Sequence, residues 1–150
     1  DVVLNGKKLV GILTEMSAQM NYIEYLVTGI GINANLREFP EELEDKATSL
    51  QKEIGHKVNR SALIAECMEK IEENYEIFVK TQDLSGLMAA YQEALVNQDQ
   101  QVRVLEPGHE YTGVARGINA MGELLVEKED GTITEVYAGE VSVRGLYGYV

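Results

Sequence analysis

Three glycines set inside two apolar runs constrain this chain more than any other feature. Between Lys8 and Asn35, Val10, Ile12 and Leu13 form a first run, and Tyr25, Leu26, Val27, Ile30 and Ile32 form a second. Gly11, Gly29 and Gly31 interrupt them. The pattern reads as two buried strands joined by a hairpin. Glycine weakens a strand interior, so its repeated use there signals something lying close against the backbone. Lys8 stands at the entrance to the first strand and Asn33 at the exit of the second. An ammonium and an amide on rigid strands, beside bare backbone, suit a small anionic ligand and a flat hydrogen-bonding one. Taken alone, Lys8 also reads as a solvated strand-end lysine, and Asn33 as a strand-end turn residue.

The rest of the chain divides around Asn97 to Gln101. Before it, Asp1 to Leu4 reads as a strand tail, with Asn5-Gly6 as a two-residue hairpin turn. The connection from Ser17 to Asn21 looks polar and looser. Leu36 to Lys46 contains Pro40 and five acids, which reads as a mobile surface loop. Thr48 or Ser49 caps a short helix ending at Gly55. Asn59 caps a longer one, whose Leu63, Ile64, Cys67, Met68, Ile71, Tyr75 and Phe78 recur as one apolar stripe. Asp83 or Ser85 starts a third, with Leu87, Met88, Tyr91 and Leu95 inward. Both longer helices are expected to cover the sheet, with Cys67 a buried structural thiol. After Val102 the pattern becomes five short strands separated by tight turns, which reads as a small SH3-like barrel.

Composition removes several function classes. The 150 residues carry a net charge of −12, and the 13 basic residues form no cluster, so no nucleic-acid surface is expected. No run of about 18 apolar residues exists, so no membrane span is read. The single cysteine allows no intrachain disulfide and fits a reducing, cytoplasmic setting. His56 and His109 have no Cys or His neighbour at ligand spacing, so no metal site is assigned. The string Gly29-Ile-Gly31-Ile-Asn33-Ala34 satisfies a dinucleotide fingerprint in letters only. An acidic, proline-broken segment follows where a phosphate-holding helix is needed.

DVVLNGKKLVGIL and YLVTGIGINAN resemble the central strands of biotin protein ligases, with Asp1, Lys8, Gly29, Gly31 and Asn33 on motif positions. Glu140-Val-Ser-Val-Arg144 and the tail Gly145 to Val150 resemble that family's closing segment. The resemblance covers the whole chain. It implies an α+β fold: a class II synthetase-like catalytic fragment over residues 1–98, with a partial mixed or antiparallel sheet covered by helices. An SH3-like barrel follows over 99–150. It further implies ATP-dependent activation of biotin to biotinyl-5′-AMP and transfer to a lysine of the biotin carboxyl carrier protein of acetyl-CoA carboxylase.

In that reading Lys8 and Asp1 are catalytic. Lys8, Gly11, Ile12, Leu13, Gly29 and Gly31 bind biotin, and Asn33 and Arg144 bind the nucleotide. Glu140 and Arg144 contact the carrier. Biotin, ATP and Mg²⁺ are the implied small molecules, and a homodimer is possible in this family. The family's Gly-Arg-rich biotin loop and the loop Trp have no counterpart in the sequence, Ala47 standing near the place of the latter. The chain therefore reads as part of a longer protein, inactive alone. A non-catalytic binding module and a lipoate-type ligase are the alternatives.

Overall fold

The structure, a computed structural model, describes residues 1–106 and 108–137, together with the backbone of 142–145. The chain forms two compact units, Asp1–Leu63 and Ile64–Val150. The β-rich segment begins at Gln101.

In the first unit, β1 (Val2–Leu4), β2 (Lys7–Gln19) and β3 (Tyr22–Ile32) form an antiparallel sheet in that order. Asn5 and Gly6 take the positive φ angles, 52° and 76°, that a two-residue hairpin turn demands, and Leu4 pairs with Lys7. One step further on, Val2 faces Val10 while Val3 faces Lys8. Leu9 is thus the extra residue of a β-bulge. The second connection is tighter than expected. β2 runs on to Gln19, which pairs with Tyr22 across Met20-Asn21, and a second irregularity falls between Ser17 and Ala18.

Residues 36–46 are exposed apart from half-buried Phe39, and hold one short 3-10 turn, Glu41–Leu43. The chain then returns along β2 as a strap. The Lys8 N–H donates to the Lys46 carbonyl at 2.8 Å, and the Thr48 N–H donates to the Lys8 carbonyl at 2.9 Å. Helix α1 (Leu50–Ile54) follows. Ser49 accepts a hydrogen bond from the Lys52 N–H as its N-cap, and Gly55 closes it at φ 81°. The buried residues of this unit are Leu9, Val10, Ala34, Ala47, Thr48, Ser49 and Gln51. Its core therefore sits at the base of the hairpin, beneath α1.

The rest of the hairpin corrects the expectation of buried strands. Leu13, Met16, Tyr25, Leu26 and Val27 are more than half exposed, and Met20 is fully exposed. A continuous apolar run marks a strand fit for cover on both faces, but it does not supply the cover.

Helix α2 (Arg60–Thr81) starts where expected, with Asn59 Oδ1 accepting from the N–H groups of Ser61 and Ala62. It buries none of its residues, and Cys67 is only half-buried. The stripe of Ile64, Met68, Ile71, Tyr75 and Phe78 is open, so the structure does not bear out the expected core packing. Helical period defines a face, not its occupant. Helix α3 (Met88–Ala94) begins later than expected. The Asp83 carboxylate instead accepts from the N–H and hydroxyl of Ser85, a local turn that competes with helix.

Five strands follow: β4 (Gln101–Leu105), β5 (Tyr111–Ile118), β6 (Leu124–Glu127), β7 (Ile133–Val136) and β8 (Ser142–Gly145). They form one antiparallel sheet in the order β7-β6-β5-β4-β8. Val102, Val104, Ala115, Val126 and Val136 make its core, with Tyr111 and Leu124 packed against it. Among the described residues β7 and β8 are the two edges of this sheet. The mixed α+β class with a small β-rich C-terminal part is as expected.

Candidate functional site

Lys8 and Gly11 lie three residues apart, which places them on opposite faces of a regular strand. The bulge at Leu9 cancels that difference. The Lys8 side chain lies over Gly11: a Cβ built on Gly11 would stand 3.3 Å from Lys8 Cε and 3.5 Å from Nζ. Lys8 Nζ reaches the Asp1 carboxylate at 2.9 Å. Gly11 pairs across the sheet with Gly31, and Leu13 with Gly29. Asp1, Lys8, Gly11, Ile12, Leu13, Gly29, Ile30 and Gly31 together line an open groove of about 500 Å³.

The groove has a charged mouth, a floor of bare peptide and apolar sides. Its Lys8–Asp1 ion pair is more than a third exposed on each partner. Such a pair is worth about 0–1 kcal/mol, so an arriving anion exchanges places with Asp1 at little cost. The ammonium then offers three donors to that anion. Glycines 29 and 31 each leave ordinary contact distance above them: a Cβ there would come no closer than 3.8 Å to a backbone oxygen. The fold itself does not demand glycine at either place.

Several expected residues lie outside the groove. Asn33 follows one step beyond it: its N–H donates to the Leu9 carbonyl at 3.0 Å, and its carbonyl accepts from the Leu50 N–H at 2.9 Å. The Asn33 amide group makes no hydrogen bond among the described residues. The Lys8 ammonium is paired with Asp1. Arg144 lies on β8, in register with Arg103 of β4; Glu140 lies outside the described residues. The Gly29–Ala34 string opens no helix, the next helix beginning at Leu50. No group of three or more His, Cys, Asp or Glu suited to a metal occurs among the described residues.

Sequence reasoning missed what holds Lys8 in place. The strap at 46–48 pairs along it, with Ala47 buried beside it. Glu53 accepts from the Thr48 hydroxyl and, at 2.7 Å, from the Asn5 side-chain amide. These two bonds hold the Glu53 carboxyl below the usual carboxylate range. Nothing in the local pattern announced them, because the strap is a single bridge at the end of an acidic segment. Ile30 was visible as apolar, but its place beside the groove depends on register.

Comparison with known proteins gives the site a context. Residues 99–144 match the family model described as Biotin protein ligase C terminal domain. The chain is 32% identical over 145 residues to the bifunctional ligase/repressor BirA of Bacillus spizizenii, a match covering 95% of this chain and 44% of that relative. Among solved structures, the apo biotin protein ligase of Aquifex aeolicus matches with a TM-score of 0.80 and 31% identity, over 95% of this chain and 61% of that one. The same enzyme solved with biotin and ATP matches with a TM-score of 0.77 and 29% identity, over 95% and 58%. The chain thus spans less than half the length of the curated relative.

Proposed function

We propose, from the premise that this chain is a homologue of the biotin protein ligases along 95% of its length, that it carries one wall of a biotin-activating site. The observation that supports this is the groove in which the Lys8 ammonium lies over glycine-bare backbone, with Asp1 at the mouth and Ile12 and Leu13 beside it. The biotin ring system would lie along Gly29 and Gly31, and its aliphatic tail along Gly11 to Leu13.

In the first step an oxygen of biotin's carboxylate attacks the α-phosphate of ATP, and the bond to pyrophosphate breaks. In the second, the amine of a carrier lysine attacks the acyl carbon and AMP leaves. Lys8 holds the carboxylate and the α-phosphate together against their mutual repulsion, and it stabilises the charge that builds on the phosphoryl oxygens. Asp1, released from Lys8 by the incoming anion, is placed to orient the attacking amine. One carboxylate combined with substrate phosphates is a donor set that suits Mg²⁺. Asp1 would hold the ion there, where it would neutralise phosphate charge.

Asn33 is assigned to the adenine edge, for which an amide supplies both acceptor and donor. Arg144 is assigned to the phosphates, and Glu140 with Arg144 to the carrier; these assignments rest on the family resemblance. So do the division into a catalytic part at 1–98 and an SH3-like barrel at 99–150, the biotin carboxyl carrier protein as partner, a homodimer and a cytoplasmic setting. No helix among the described residues is long and apolar enough to cross a membrane.

The open apolar faces of β2 and β3 favour a second reading, a docking module without chemistry. One experiment separates the two. Biotin-dependent pyrophosphate release by the protein carrying this chain should fall about 10²–10³-fold in Lys8→Ala, the cost of one lost charge-stabilising donor. Lys8→Arg should also fail, because a planar fork does not replace a point charge. An unchanged rate in either variant contradicts the ligase reading.

A further inference from the structure

A carboxylate on α1 joins two segments that flank Lys8. Glu53 stands on α1, and its two oxygens take hydrogen bonds from separate parts of the unit: Oε1 from the Thr48 hydroxyl, Oε2 from the Asn5 amide. Thr48 is buried, and its N–H donates to the Lys8 carbonyl. Asn5 is the first residue of the turn joining β1 to β2. That turn sets where β1, and with it Asp1, lies against Lys8. One side chain therefore ties the strap along Lys8 and the turn that carries Asp1's strand to the same helix. Lys7 and Lys52 are the charged groups that face this carboxylate, and both favour its ionised form. The helix has its own caps in Ser49 and Gly55, so it does not depend on Glu53 for its ends.

We propose that Glu53 is a positioning residue for the groove, touching no ligand and fixing Lys8 and Asp1 through Thr48 and Asn5. The proposal rests on the reading that Lys8 carries the activation step. A Leu at position 53 keeps much of the volume but offers no acceptor to either donor. Glu53→Leu therefore removes the tie between strap and turn, whereas Glu53→Gln can keep it, its Oε1 accepting from Asn5 and its Nε2 donating to the Thr48 hydroxyl. A misplacement of about 1 Å at a reacting group is sufficient to lose 10²-fold in rate.

The test is a double-mutant cycle on biotin-dependent pyrophosphate release by the protein carrying this chain. Glu53→Leu should lower kcat about 10-fold or more while leaving KM for ATP unchanged, and Glu53→Gln should keep most of the activity. In a Lys8→Ala background Glu53→Leu should cost less than about twofold, because the group that Glu53 positions is gone. Thr48→Val, which removes the hydroxyl and keeps the shape, should reproduce the kcat loss. Equal losses in both backgrounds, or no loss in the presence of Lys8, overturn the positioning role. Full activity in Lys8→Ala alone overturns instead the reading beneath it.

Discussion

Gly31→Ala separates a glycine kept for a ligand from a glycine kept for the fold. Gly31 sits in β3 opposite Gly11, and a Cβ added there meets nothing nearer than the Gly11 carbonyl oxygen at 3.8 Å. Its backbone lies outside the left-handed region. The described protein therefore accepts alanine without adjustment. Removing glycine from a strand interior stabilises by about 0.5–1 kcal/mol, which raises the melting temperature by roughly 1–4 °C in a chain of this size. The ligand should object. If biotin's ring lies against the strand, the added methyl occupies its place, and one methylene's misfit in a fitted site costs about 1–3 kcal/mol, or 10–200-fold. Calorimetric titration with biotin, paired with thermal melts, reads both quantities. Lost affinity with an equal or higher melting temperature supports the groove as a binding surface. Unchanged affinity refutes it, and lost affinity with a lower melting temperature shows that the glycine serves the fold.

Two further outcomes concern stability in the second unit. Asp99 is held below the ordinary carboxylate range chiefly by the hydrogen bond from Arg116, at 2.6 Å, and then by Gln98. Its folded pKa lies below its unfolded one, so its stabilisation is present above the unfolded value, about 3.9, and is lost as pH falls through the folded value. Arg116→Met should flatten that acid-side loss in melts followed against pH, and an unchanged slope contradicts it. Val104→Ala, at the 1% exposed centre of the sheet, should cost about 2 kcal/mol in urea unfolding. Ile71→Ala, on the open stripe of α2, should cost less than about 1 kcal/mol. Equal costs would show that the stripe is covered in solution.

Local chemistry made much of the fold legible. Asn5-Gly6 announced its turn because few residue pairs tolerate two positive φ angles. Ser49, Gly55 and Asn59 announced helix ends because unpaired backbone groups there need partners. The five C-terminal strands were visible from alternation: Val102 and Val104 face the core while Arg103 faces solvent. Burial was not legible. The runs Tyr25 to Val27 and Ile64 to Phe78 carry the pattern of covered surfaces, and a pattern contains no information about which segment does the covering.

The site divides in the same way. Lys8 and the three glycines were found by residue type and spacing, and Asp1 by the family resemblance; the structure brings them into one groove. What aligns Lys8 with Gly11 is a bulge at Leu9, and what clamps Lys8 is the strap at 46–48 tied by Glu53. The bulge is a shift of register within the first hairpin, and the strap pairs segments about forty residues apart; neither leaves a mark in either segment alone. Asn33 was placed by its motif, and its backbone ties the end of β3 to Leu9 and Leu50.

The central claim is that Lys8 gives up Asp1 to hold a carboxylate over the glycine floor. A crystal structure of the protein carrying this chain with biotin bound tests it most directly. The predicted result is biotin's carboxylate within about 3 Å of Lys8 Nζ, the range of a charge-assisted hydrogen bond, with the ring system against Gly29 and Gly31. Biotin bound elsewhere, with Lys8 still paired to Asp1, would contradict it.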